Sequence, residues 1–326
     1  MENRTATNEQ FVTVSGLTKR FGDLVAVDNL DFSVAEGEIF GFLGPNGAGK
    51  STTLNIIATL LSLDKGEVSV AGYDLNKDAR AIKAIIGLVP QEIALLPNLT
   101  AQENVAFFAG LYGLKGSRLK EAVQKALVFV GLAEQAKKRA SKMSGGMQRR
   151  LNIACGIAHD PKLIILDEPT VGVDAQSREH IMEGIRILRD RGATIIYTSH
   201  YMPEVQEICD RIAIIDHGRL VGLGTEQELL RVVTDVKSIV VRFEDKPGFD
   251  SDGLIRRLCV LPDVQRAVFN EGATELRIDV TLGFADITPL VKEFMALDLR
   301  IQSLNSEAPD LETTFLALTG RELRQG

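Results

Sequence analysis

Apolar residues fall along the chain in short, largely β-branched runs, separated by segments with helical spacing. The runs predict strands at 11–14, 38–43, 67–70, 85–89, 163–166, 194–197 and 212–215. Between several of them, apolar positions three or four residues apart predict helices at 51–61, 100–111, 118–130, 144–158 and 176–189. Runs without polar alternation suit strands buried on both faces. Their alternation with helices predicts an α/β domain with a mainly parallel sheet over 11–232.

The pattern changes after that. Strands are expected at 236–244, 264–269, 274–281 and 299–304, with helices at 250–260 and 284–297. Asn270, Glu271 and Gly272 form a turn between the two middle strands. This β-α-β-β-α-β order is the split βαβ of ferredoxin-like domains. A last helix over 310–319 meets Gly320, a suitable C-terminal cap. The expected organisation is therefore a polar, frayed tail (1–10), an α/β domain (11–232) and a small α+β domain (233–326).

Composition adds exclusions. The 326 residues are 45% hydrophobic and 25% charged, which suits a packed globular protein. The net charge is −7, and residues from 233 onward carry 11 basic against 16 acidic side chains. That balance counts against a nucleic-acid partner, which needs basic surface. No uncharged apolar run approaches the roughly 20 residues that span a bilayer. The opening MENRTATNEQ has no apolar core, so no secretory signal peptide is expected. Cys155, Cys209 and Cys259 are far apart, match no metal-ligand spacing, and are expected as reduced, buried small residues.

The candidate chemistry centres on phosphate. Gly44, Pro45, Asn46, Gly47, Ala48, Gly49, Lys50 and Ser51, continued by Thr52, fit G-x-x-x-x-G-K-[ST] between an apolar strand and a helix. In such a loop, backbone N–H groups turn toward phosphate and the helix N-terminus adds positive potential. Lys50 is placed to reach the β- and γ-phosphates, and Ser51 to offer a hydroxyl to Mg²⁺. The apolar run Leu163-Ile164-Ile165-Leu166 ends in Asp167 and Glu168. Asp167 then holds Mg²⁺ through water, and Glu168 orients or deprotonates the attacking water.

A further segment is more specific. Met143-Ser144-Gly145-Gly146-Met147-Gln148 resembles the LSGGQ signature of ATP-binding-cassette (ABC) proteins, with Met143 for Leu and Met147 for Gln. In matching order, Gln91 resembles the Q-loop, 171–174 with Asp174 the D-loop, His200 the H-loop and Phe21 the aromatic A-loop. The resemblance covers 13–232. It implies a P-loop NTPase cassette whose mixed, mainly parallel sheet carries a helical subdomain. It further implies ATP and Mg²⁺ as cofactors, Glu168 and His200 as catalytic groups, and adenine stacking by Phe21. Gln91 is expected to contact Mg²⁺ and water. Ser144, Gly145, Gly146 and Asp174 are expected to reach ATP across a head-to-tail dimer of two copies. Arg149 and Arg150 read as a solvated helix face, and His159, His180 and His217 carry no expected role.

The wording of the cassette and of 310–320 resembles ABC-2-type, daunorubicin-resistance-like exporters. That resemblance implies a peripheral ATPase on the cytoplasmic face of the membrane. It would power a separate integral membrane permease that exports a drug, antibiotic, lipid or other amphipathic cargo. The alternatives are an importer subunit, and a soluble ABC ATPase acting on ribosomes or DNA. The latter would need a second cassette, or a long coiled coil between Lys50 and Ser144. The small domain is a spacer, a support for the dimer or a ligand sensor; dimer support is the favoured expectation.

Overall fold

The computed structural model describes residues 10–232, 236–244, 249–270, 274–281, 283–307 and 311–319. The chain divides into a unit that runs to Glu226 and a unit that starts at Gln227. The tail expected over 1–10 lies outside the described residues except for Gln10, which opens the first strand. Glu271, Gly272, Asp310 and Gly320 lie outside them too.

In the first unit, β1 (Gln10–Phe21), β2 (Leu24–Ala35), β4 (Lys65–Val70) and β5 (Tyr73–Asp74) form an antiparallel sheet ordered β2-β1-β4-β5. β1 continues far beyond the run at 11–14, because a register shift between Val14 and Leu17 lets pairing resume. The apolar pattern does not predict β2. Asp28, Asn29 and Asp31 break its alternation, and Asn29 takes a left-handed backbone (φ 51°).

The larger sheet contains β3 (Ile39–Leu43), β6 (Ile86–Val89), β7 (Leu163–Asp167), β8 (Thr194–Ser199), β9 (Arg211–Asp216) and β10 (Arg219–Gly224). Their order is β10-β9-β3-β8-β7-β6, parallel throughout except for the β9–β10 hairpin. The expected mixed, mainly parallel sheet is therefore present. All five residues of β3 are buried. Phe32 of β2 packs its ring 5.5 Å from Phe40 and 5.4 Å from Phe42, joining the two sheets.

The helices of this unit are α1 (Lys50–Ile57), α2 (Ala79–Ile85), α3 (Ala101–Leu111), α4 (Gly116–Phe129), α5 (Gly145–Ile157), α6 (Ala175–Asp190) and α7 (Met202–Ile208). Leu54, Ile56 and Ile57 of α1 enter the same core as the three phenylalanines. α1 stops short of the expected 61. Thr59 turns left-handed (φ 59°), and the N–H groups of Leu60 and Leu61 both donate back to the Asn55 carbonyl. α3 opens on a capping box, with Thr100 and Glu103 exchanging side-chain and backbone hydrogen bonds.

The second unit takes in most of α8 (Glu226–Val232) and then β11 (Val236–Phe243), α9 (Ser251–Leu258), β12 (Val264–Phe269), β13 (Glu275–Thr281), α10 (Thr288–Ala296), β14 (Ile301–Glu307) and α11 (Leu311–Thr319). Its antiparallel sheet is ordered β12-β13-β11-β14, the order of a ferredoxin-like split βαβ. Period-two burial turns Leu276, Ile278 and Val280 of β13 to the face that also holds Ile239, Val241 and Phe243 of β11. Leu254 and Leu258 of α9 and Leu290 and Phe294 of α10 complete that core.

Two substitutions test this packing by denaturant unfolding. Phe32→Ala removes the ring shared by both sheets and should lower stability by about 3–5 kcal/mol. Thr100→Ala removes only a cap and should cost about 1 kcal/mol.

Candidate nucleotide site

The phosphate loop leaves the carboxyl end of β3 and enters α1. Gly49 is the N-cap of α1, with φ 101°. A Cβ there would lie 2.5 Å from the Ala26 carbonyl of β2, so conformation and close approach both demand glycine. Lys50 is buried, and its Nζ donates to the carbonyls of Gly44 (2.7 Å) and Pro45 (3.2 Å). Burial holds its pKa below the ordinary lysine value, while Glu168 and Asp167 oppose that shift. Phe21 closes β1 as an exposed ring paired in register with Leu24, two residues before Ala26.

β7 delivers the carboxylates beside this loop. Ser51 Oγ donates to Asp167 Oδ2 at 3.1 Å. Glu168 is buried and meets two other expected site residues: Gln91 Nε2 donates to its Oε2 at 2.9 Å, and His200 Nδ1 lies 3.3 Å from its Oε1. Glu168 also has a left-handed backbone (φ 48°), a strained geometry for a residue with a Cβ. Thr198, fully buried on β8, holds both acids. Its Oγ1 accepts the Glu168 N–H at 2.9 Å and donates to Asp167 Oδ1 at 2.7 Å.

The signature segment opens α5. Ser144 is its N-cap, accepting the Met147 N–H at 3.3 Å, and both Ser144 and Gly145 are exposed. Gly146 is buried against α6. A Cβ there would lie 2.5 Å from Ser177 Oγ and 3.0 Å from Asp174 Oδ2. Asp174 caps α6 by accepting from Ser177 N at 2.9 Å and Ser177 Oγ at 3.0 Å, bonds that hold its carboxyl below the usual range. Where Met147 replaces glutamine, the amide comes one residue later. Gln148 Nε2 donates to the carbonyls of Ala140 (3.0 Å) and Met143 (3.3 Å).

Known proteins match this arrangement. Residues 27–171 match the family described as ABC transporter. The linearmycin resistance ATP-binding protein LnrL of Bacillus subtilis is 43% identical, over 94% of this chain and 98% of its own. The chain belongs to the ABC transporter family. The daunorubicin resistance ATP-binding protein DrrA3 of Streptomyces coeruleorubidus is 33% identical over 96% of this chain and 97% of its own. A solved dimeric ATP-binding cassette, bound to ADP and Pi in a post-hydrolysis state, is 29% identical with a TM-score of 0.61. It covers 66% of this chain and 98% of that structure. The protein is an ABC ATPase that groups with the ATP-binding subunits of exporter-type transporters.

Set beside this family, the structure corrects two expectations, on the Arg149–Arg150 pair and on the cysteines. Arg149 is not solvated but buried, donating to the Pro90 carbonyl at 3.2 Å. Arg150 is half-buried and donates to the Val130 carbonyl at 3.0 Å. Burial lowers the Arg149 pKa, opposed by the charges of Glu168 and Asp167. Asn152, one turn on, accepts from Ala94 N at 3.2 Å, so α5 grips the chain on both sides of Gln91. The expectation that all three cysteines are buried also fails, because Cys259 follows α9 on an exposed turn. The roles of Thr198 and Asn152 went unnoticed in the sequence, and that of Arg149 was misread.

Gly146→Ala should push Ser177 and Asp174 away from the signature helix. The expected result is a stability loss of about 1–3 kcal/mol in denaturant unfolding and a reduced ATPase rate.

Proposed function

We propose that two copies of this chain close head to tail around two ATP molecules and drive a separate integral membrane permease from its cytoplasmic face. The observation that carries this reading is the meeting of Lys50, Ser51, Asp167, Glu168, Gln91 and His200 at the carboxyl ends of parallel strands, the usual ligand position in such sheets. In the same unit, Ser144 and Gly145 stand exposed on a helix N-terminus.

Each group has a role in this reading. The loop from Gly44 to Thr52 wraps the phosphates, with Lys50 leaving its loop carbonyls for phosphate oxygens. Phe21 offers a flat face to adenine. Ser51 and Asp167 supply two hard oxygens, which suits Mg²⁺ completed by phosphate and water, with Gln91 on its water side. Among the described residues no cluster of three or more His, Cys, Asp or Glu side chains could hold a metal alone. Magnesium, when bound, neutralises charge on the phosphates. Glu168 accepts the proton of the attacking water, and His200 contacts the γ-phosphate while holding Glu168 Oε1. Ser144, Gly145 and Gly146, with Asp174, face the partner copy's nucleotide.

No described helix is long and apolar enough to cross a membrane, so a channel would have to come from another chain. Ile93, Leu96, Phe107, Leu111 and Tyr112 are exposed around the Gln91 loop and α3, and form an apolar docking face for that permease. Relatives named for linearmycin, daunorubicin and Nod factor support an exported amphipathic cargo over import, and over a soluble role without a permease. The cassette is assigned to 11–232 and the accessory domain to 233–326, with dimer support as the accessory role and no nucleic-acid partner.

Affinity capture of the tagged chain from detergent-solubilised native membranes should recover one or two polytopic membrane proteins with Mg-ATPase activity. Recovery with soluble or ribosomal partners alone would overturn the transporter reading. Glu168→Gln should retain ATP, lose turnover by about a hundredfold or more, and elute as a nucleotide-trapped dimer in gel filtration. Wild-type turnover would remove Glu168 from the role of base.

A further inference from the structure

Glu204 lies in the first turn of α7, and only 3% of it is exposed. A buried carboxylate needs compensation, and this one is surrounded by donors. Its Oε2 accepts from Thr170 Oγ1 at 2.7 Å, from Tyr197 OH at 2.7 Å and from Ser199 Oγ at 3.2 Å. Its Oε1 pairs with Arg178 Nε of α6 at 3.1 Å. Burial, with Glu204 beside it, pushes the Tyr197 phenol well above its usual range, so that hydroxyl stays protonated and donates.

The placement of these donors carries the argument. Thr170 lies two residues after Glu168, and Ser199 immediately precedes His200. One carboxylate oxygen therefore joins the two backbone segments that carry the Glu168–His200 pair, which meets at 3.3 Å. Arg178 extends the tie to α6, the helix capped by Asp174. Nothing in the described contacts brings Glu204 itself to the nucleotide site.

We propose that Glu204 is a positioning residue for ATP hydrolysis: it sets His200 against Glu168 by holding Ser199 and Thr170 on one oxygen. The proposal rests on the reading of Glu168 and His200 as the hydrolytic pair. Glutamine at 204 would keep the shape but present one acceptor oxygen and an NH₂ group. Three hydroxyls and a guanidinium then compete for it, and the two segments lose their common anchor. Displacements near 1 Å in such a pair suffice for large losses in rate.

The test uses the full-length chain. Glu204→Gln should lower kcat for Mg-ATP by about ten- to a hundredfold, with KM and equilibrium ATP affinity held within about threefold. A role in folding alone would instead lower the number of ATP-binding sites per chain and leave kcat per binding site unchanged. Adding Ser199→Ala to Glu204→Gln should cost little more, because both act through one anchor. Unchanged kcat per binding site, a rate loss that only matches the loss of ATP-binding sites, parallel loss of kcat and ATP affinity, or fully additive losses would each overturn the proposal. If Glu204→Gln does not fold, Thr170→Val with Ser199→Ala carries the same expectation and the same overturning results. Glu168→Gln and His200→Ala serve as controls. Wild-type turnover by both would sink the hydrolytic pair, and this proposal with it. Inactive controls beside a fully active Glu204→Gln would sink only the role of Glu204.

Discussion

The complete burial of β3 is the constraint on which the nucleotide site depends. Ile39–Leu43 is buried throughout, with β8 and β9 as parallel neighbours and its own Phe40 and Phe42 rings packed against Phe32 of β2. A strand held this way has no freedom at its carboxyl end, so the loop that follows starts from a fixed point. Gly49 then lies against the β2 backbone, and the core face of α1 packs into the same cluster. Phosphate-binding geometry is thereby anchored to the most tightly packed part of the cassette. The acids arrive in the same way, on β7, beside β8 and one strand removed from β3.

Local chemistry was legible in the sequence, and long-range chemistry was not. The phosphate loop, the Asp167–Glu168 pair and the signature are contiguous, so their residue types and spacing carry their meaning. The second unit was legible because its strand and helix segments follow in the order β-α-β-β-α-β, which leaves few topologies. β2 was hidden because Asp28, Asn29 and Asp31 interrupt an otherwise apolar segment. Arg149 looked solvated because an Arg-Arg pair usually is. The reason it is buried, a carbonyl at Pro90, lies 59 positions away. The Glu204 cluster draws on four separate elements, none of which marks it alone.

Two kinds of joint therefore coexist in the cassette. Apolar packing fixes where each segment starts, and buried polar contacts fix how segments are oriented against one another. Thr198 binds both acids, α5 grips the Gln91 loop from both sides, and Glu204 ties Thr170 to Ser199. Such contacts are directional and fail in discrete steps, whereas apolar contacts slide. A site that must change partners during a turnover cycle is suited to joints of the second, polar kind.

The backbone of Glu168 has a wider consequence. Its left-handed conformation is one that glycine or asparagine adopts with less strain, by about 1–3 kcal/mol. Selection for a sturdy fold alone would pull this position away from glutamate; with Glu168 as the proposed base, the chemistry holds it there. Abundance and heat resistance are then poor proxies for a working cassette: a chain that has lost its power stroke at this position would fold at least as well as one that has kept it.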